Sequence, residues 1–219
     1  VATFGAAMSG QTMDDLKKLP GWFKLAVMPA KVPPATDQIQ TLVTLAEKAR
    51  KEGLLALEAQ VKDIDDPFLK RGLQMGIDGT DPEELRAVLE GEITAKKTED
   101  KVAAKFMNAM GGYAPTIGIL GTVVSLTHVL ENLSDPSSLG HSIASAFVAT
   151  LWGVLSANII WLPIGSRIGK MTDQLSERLT LLTEGVLAVQ SGAQPRTLSE
   201  KLYAMLPASE QPKAAAKGG

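Results

Sequence analysis

The sequence predicts an all-α, polytopic membrane protein that also carries a charged helical domain. Three observations predict it. No Lys or Arg occurs between Phe106 and Ser166, and within that stretch lie two long apolar runs, residues 112–130 and 139–164. Each is near or above the ~20 residues a helix needs to cross ~30 Å of hydrocarbon. Elsewhere apolar residues recur at intervals of three and four, and no strand pattern of alternating residues is found. The runs also fit a buried helical hairpin in a soluble core. Their length, and the charged segments on both sides of them, favour the membrane.

The basic residues orient the hairpin. Lys96, Lys97, Lys101 and Lys105 lead into the first run, and Arg167 and Lys170 follow the second. The connection, with Glu131, Asn132, Asp135 and Pro136, has neither Lys nor Arg. The positive-inside rule then puts both ends in the cytoplasm and the connection outside. The expected organisation is a cytoplasmic domain over 11–105, a span over 106–132, an outer loop over 133–138, a second span over 139–165, and a cytoplasmic helix with a disordered tail over 166–219. Residues 1–10 are apolar (Val-Ala-Thr-Phe-Gly-Ala-Ala-Met at the start) and read as the cytoplasmic end of an earlier span. An ordinary apolar helix end is the other reading.

The elements follow in order. Prolines at 20, 29, 33 and 34 break up the segment after Gly10, where Trp22, Phe23, Leu25, Val27 and Met28 form an apolar patch suited to a membrane surface. Thr36 and Asp37 cap a helix running to about Lys51, with Ile39, Leu42, Val43 and Ala46 on one side. Gly53 interrupts it, and a second helix runs through Leu54, Leu55, Leu57 and Val61. Asp66-Pro67 opens another, ended by Gly79. Asp81-Pro82-Glu83-Glu84 opens the next, its acids facing the helix dipole. That helix carries Leu85, Val88 and Leu89 on one side and continues through the lysines into the membrane. After the second span, Ile168, Met171, Leu175, Leu179, Leu182, Val186 and Val189 form one stripe of a long amphipathic helix. Its partner is expected among the helices of 37–105. Pro195 starts a last short helix, and residues 207–219 read as a tail by composition.

Composition excludes several classes. The net charge of −2 gives no reason to expect nucleic acid, and the absence of cysteine removes disulfide and thiolate chemistry. No catalytic constellation is present. His128 and His141 sit near the outer ends of the spans, where interfacial polar residues are common. The spans carry small and polar residues on one face: Gly118, Gly121 or Thr122, and Ser125 in the first; Ser145 or Ala146, Thr150, Gly153 and Ala157 in the second. Such spacing lets helices approach closely. The same hydroxyls also suit a wet path for an ion, and spacing leaves both readings open. Pro115 and Pro163 stand at the cytoplasmic ends of the two spans, either as benign kinks or as a paired hinge. Neither apolar run, 112–130 or 139–164, contains Asp, Glu or Lys, so a carboxylate for ion transfer would come from a partner.

Three segments carry a family resemblance. Ala114-Pro115-Thr116-Ile117-Gly118-Ile119-Leu120-Gly121-Thr122 resembles the third membrane helix of MotA-type flagellar stator subunits. Ala149-Thr150-Leu151-Trp152-Gly153, continuing to Ala157-Asn158 and Pro163, resembles their fourth. The segment from Ala49-Arg50 through Gly53 to Leu57-Glu58 is similar to their cytoplasmic signature. The first motif also fits the TolQ and ExbB relatives. The resemblance implies a four-span protein of the bacterial inner membrane, with the first span and most of the second outside this sequence. It implies five copies around two MotB-type partners, which bring the membrane aspartate and a peptidoglycan-binding domain. It implies conduction of protons or sodium ions, contact with the rotor C-ring, surrounding lipids, no cofactor and no enzymatic activity. By resemblance, Arg50, Glu58 and Glu92 take rotor-facing charges, Pro115 and Pro163 take coupling positions, and Thr122 and Thr150 take polar positions beside the partner aspartate. Ser125 departs from the pattern where a small Gly is usual, and His128 follows one turn later. An energiser of envelope transport of the TolQ or ExbB kind, and a non-conducting membrane scaffold, are the alternative functions.

Overall fold

The computed structural model describes residues 1–27, 34–131 and 136–211. Met28, Pro29 and Pro33, the expected turn around Asn132 and Asp135, and residues 212–219 of the expected tail lie outside these. The described residues form ten α-helices and no strand: α1 Ala2–Ser9, α2 Met13–Lys17, α3 Leu19–Val27, α4 Ala35–Glu52, α5 Glu58–Lys62, α6 Pro67–Ile77, α7 Pro82–Glu131, α8 Pro136–Ser156, α9 Leu162–Gln190 and α10 Pro195–Ala204. A 3₁₀ turn, Leu54–Leu57, precedes α5, and a π-helical segment, Ala157–Trp161, joins α8 to α9. The chain divides into two compact units.

One unit comprises residues 1–30 and 98–172. Its core gathers Ala7, Trp22, Ala103, Ala104, Phe106, Met107, Met110 and Ile168. Phe106 of α7 meets the ring of Phe4 edge-on at 5.8 Å and that of Trp22 at 5.5 Å. These contacts clamp α1 and α3 onto α7. Trp22, expected at a membrane surface, is instead buried, while its neighbour Phe23 stays partly exposed. Trp22 and the helix that carries it therefore pack with this unit. An indole in contact with Phe106 buries more apolar area than one lying flat at an interface. The apolar lengths of α7, α8 and the π segment leave Leu120, Val124, Leu151, Trp152 and Ile159 exposed. Both helical rods are long and apolar enough to cross a membrane.

The other unit comprises residues 31–97 and 173–219. Its core is the expected meeting of stripes. Ile39, Leu42 and Ala46 of α4, Phe68, Leu69 and Leu73 of α6, and Leu85, Leu89 and Ile93 of α7 pack with Leu179, Leu182, Val186 and Val189 of α9 and Leu198 and Leu202 of α10. Each fully buried leucine contributes about 1.5–3 kcal/mol relative to exposure. Val88, assigned to the buried face by spacing, turns outward. The local signals act where expected. The Asp66 carboxylate accepts the N–H groups of Phe68 and Leu69 at 3.0 Å. Asp81 does the same for Glu83 at 2.9 Å. The α4 start differs: its N-cap is Pro34, without a side-chain cap, and Asp37 lies in the first turn. Residues 207–211, assigned to the tail, are docked. Glu210 pairs with Arg178 of α9 at 2.9 Å, and Gln211 donates to the Leu206 carbonyl at 2.9 Å.

Glu184 organises the polar side of this unit. Arg86 of α7 reaches it at 2.5 Å and Lys201 of α10 at 2.6 Å, so one carboxylate ties three helices together. The Arg86 hydrogen bond, supported by Lys201, holds the Glu184 carboxyl below the usual glutamate range.

Candidate functional site

The small-residue face of α7 meets that of α8 along a narrow seam. A Cβ added to Gly118 would lie 2.8 Å from the Ala149 carbonyl oxygen, and one added to Gly153 would lie 2.6 Å from that of Ala114. Both obstacles are backbone, so only hydrogen fits at either position. Of the alternatives that spacing left open, the seam takes Thr122, which is buried, and Ala146, which is 1% exposed; Ser125 and Ser145 face outward.

Thr122 and Thr150 meet across this seam, with hydroxyl oxygens 2.5 Å apart. The Thr122 oxygen also lies 2.9 Å from the Ala146 carbonyl and 3.1 Å from that of Gly118. The Thr150 hydroxyl is 3.3 Å from the Gly118 carbonyl. Each hydroxyl has a single proton to donate. A consistent arrangement has Thr122 donating to Ala146 and Thr150 donating to Thr122. A second has Thr150 donating to Gly118. The pair is thus a small switchable hydrogen-bond network between two apolar helices.

Two prolines interrupt the helices of the seam, and the close approach continues beyond them, where a Cβ on Gly165 would lie 3.2 Å from the Ala104 carbonyl oxygen. Pro115 stands inside α7 and leaves the Gly111 carbonyl without the N–H that normally follows four residues later. On the other chain segment, Leu162 donates to the carbonyl of Ala157, five residues back, and Pro163 then has no N–H to give. This is the π segment, and sequence reasoning missed it. The available signal was Pro163 itself, since an interior proline forces the helix either to kink or to widen by a residue. Gly111, whose carbonyl Pro115 leaves free, packs against the residue before Pro163: a Cβ there would lie 2.5 Å from the Leu162 side chain, whereas Ala114, next to Pro115, faces Gly153.

Arg50, Glu58 and Glu92 lie in the other unit. Arg50 is exposed on the last turn of α4 and has no ion-pair partner among the described residues. Glu58 opens α5, is exposed, and pairs with Lys62 one turn on at 3.3 Å. Gly53, between them, takes φ +86°, and a Cβ there would meet nothing within 4 Å. The backbone angle alone therefore accounts for glycine at this turn. Glu92 differs from the other two, because Arg71 of α6 holds it at 2.9 Å. Among the described residues no group of three His, Cys, Asp or Glu is placed to hold a metal ion.

Residues 60–180 match the model of the MotA/TolQ/ExbB proton channel family. The chain belongs to this family. Motility protein A of Bacillus subtilis is 35% identical over 216 residues, covering 99% of this chain and 80% of that protein. Motility protein A of Borreliella burgdorferi is 38% identical over 209 residues, 94% of this chain and 79% of that one. The flagellar MotAB stator complex from Bacillus subtilis contains a chain that superposes with a TM-score of 0.89 at 34% identity, over 95% of this chain and 82% of that one. Within the MotA/TolQ/ExbB family the chain is thus a MotA-type stator subunit of the flagellar motor, all-helical and embedded in a membrane.

Proposed function

We infer that this MotA-type subunit conducts ions together with a MotB-type partner and converts their flow into torque on the rotor. The observation that carries this reading is the Thr122–Thr150 pair, a polar network in an otherwise apolar seam whose helices are interrupted by two prolines and a π segment. In this reading the partner brings the membrane carboxylate and the peptidoglycan anchor. Five copies of the chain surround two partners in the inner membrane, with residues 11–105 and 166–219 in the cytoplasm. Similarity to the MotAB stator complex supports the partner.

The residues divide the work. Thr122 and Thr150 lie beside the partner carboxylate and supply hydroxyls for the transferred proton or sodium ion. An elementary charge moving through 100 mV releases about 2.3 kcal/mol. Exchanging one buried hydrogen bond for another involves about 0.5–1.5 kcal/mol. Ion transfer therefore has enough energy to choose between the two hydroxyl arrangements. Pro115 and Pro163 let that choice bend the helices, because each leaves a carbonyl that no longer resists bending. Arg50 and Glu58 present charges to the rotor. Glu92 is a secondary contact, because it must leave Arg71 to reach one.

The test is rotation and ion conductance of the full complex, with and without sodium, in Thr122→Val, Thr150→Val and Thr150→Ser variants. The expected result is that both valines abolish conductance while complex abundance in the membrane stays within a factor of about two, and that Thr150→Ser restores it. Normal conductance with both valines would remove the hydroxyls from the ion path.

A further inference from the structure

The turn between Arg50 and Glu58 exposes an apolar side chain. Leu55 is 75% exposed, whereas Leu57 is fully buried and Leu54 packs against the core. The cause is geometric. In a 3₁₀ turn residues three apart share a face, so burying Leu54 and Leu57 drives Leu55 outward. Gly53 at φ +86° fixes the turn from one side, and α5 follows without a gap on the other. The leucine is therefore held rigidly outward, and little conformational freedom remains to be lost on contact.

Its surroundings identify the occupant. Arg50, five residues before it, is exposed and has no ion-pair partner among the described residues. Glu58, three residues after it, is exposed and pairs only with Lys62. Charged neighbours on both sides do not suit a lipid-facing site. An apolar anchor within a charged rim is the usual anatomy of a protein contact. Exposed ion pairs contribute little and are screened by salt, so Arg50 and Glu58 alone make a weak contact. We propose that Leu55 is the apolar anchor of the rotor contact: it enters a socket on the rotor protein whose rim carries an acidic group opposite Arg50 and a basic group opposite Glu58. This rests on the rotor-facing reading of Arg50 and Glu58.

Residues 1–219 hold no cysteine, so in a stator complex with any other cysteines replaced, Glu52→Cys gives an attachment point on this exposed turn for a short photo-crosslinker. The stator complex so labelled is illuminated in membranes with intact rotors, with Leu55, Leu55→Met or Leu55→Ala in the background. The expected result is a crosslink to a rotor protein, retained with methionine and reduced about tenfold with alanine. Rotation should fall in parallel, while complex abundance and ion conductance are unchanged. A crosslink to a second copy of this chain, a yield insensitive to Leu55→Ala, or loss of assembly or conductance in Leu55→Ala would each overturn the proposal. Charge reversal at Arg50 and Glu58 separates the two ideas. If reversal stops rotation but Leu55→Ala leaves crosslink and rotation intact, the rotor reading stands and the anchor falls. If reversal is also harmless, the rotor reading itself falls.

Discussion

At Gly153, an ångström decides between packing and clash. A Cβ there would lie 2.6 Å from a backbone oxygen, which cannot move without moving α7. At Gly121 the same Cβ would lie 3.4 Å from the Ala149 methyl group, an ordinary contact. Gly153→Ala is therefore expected to cost about 1–3 kcal/mol by overpacking, and Gly121→Ala less than about 0.5 kcal/mol. Thermal unfolding of the purified complex in detergent checks this, and equal melting temperatures for the two variants would contradict the seam geometry. Glu184 makes a prediction that depends on pH. Its folded-state pKa is depressed by Arg86 and Lys201, so its contribution is present above the ordinary glutamate value of about 4.3 and is lost as pH falls through the lower folded value. Glu184→Gln should destabilise the complex at pH 7 by an amount on the order of 1 kcal/mol, since both cations remain partly in solvent. The difference from the parent should shrink steadily below about pH 4. A gap that persists in acid would point to packing as the cause.

At the level of elements, the long helices are continuous through positions where helix propensity is locally poor. Pro115 lies inside the fifty-residue α7, and Pro163 follows a π segment by two residues. An interior proline disfavours a helix by about 3 kcal/mol relative to alanine. Alanine at either position restores an N–H donor, so both variants should be at least as stable as the parent. If bending at these points couples ion transfer to rotation, the same variants should turn slowly or not at all while conducting ions and accumulating normally. Rotation speed measured beside complex abundance tests this. Undiminished speed in the double alanine variant would make the prolines incidental kinks.

For the whole molecule, the expectation concerns where torque is delivered. Among the described residues Arg50 and Glu58 make no long-range ion pair, whereas Glu92 holds α6 to α7 through Arg71. Arg50→Glu and Glu58→Lys should therefore lower torque with little effect on folding or conductance. Glu92→Lys should also reduce thermal stability, because it places two cations together across α6 and α7. Stall torque, conductance and melting temperature measured on all three variants separate these outcomes. Loss of assembly in Arg50→Glu would assign that residue to the fold.

Sequence by itself determined the all-helical class, the two apolar rods, most of the core stripes and the Asp66 and Asp81 caps. These follow from sums over neighbouring residues: transfer free energy along one helix, a period of 3.6, and carboxylates within three positions of free N–H groups. Family resemblance added the functional reading and the residues of interest. Tertiary structure alone decided that Thr122 meets Thr150, that Trp22 turns inward to Phe106, that Val88 faces out and that Leu55 is left uncovered. It also decided that Ala157–Trp161 widens into a π segment and that Glu210 anchors residues 207–211 to Arg178. Small residues at spacings of three and four are compatible with several registers, and an apolar side chain is compatible with either side of a stripe's edge. The choice is made by contacts between residues far apart in the chain, where a mismatch of less than an ångström against a backbone oxygen outweighs any local preference.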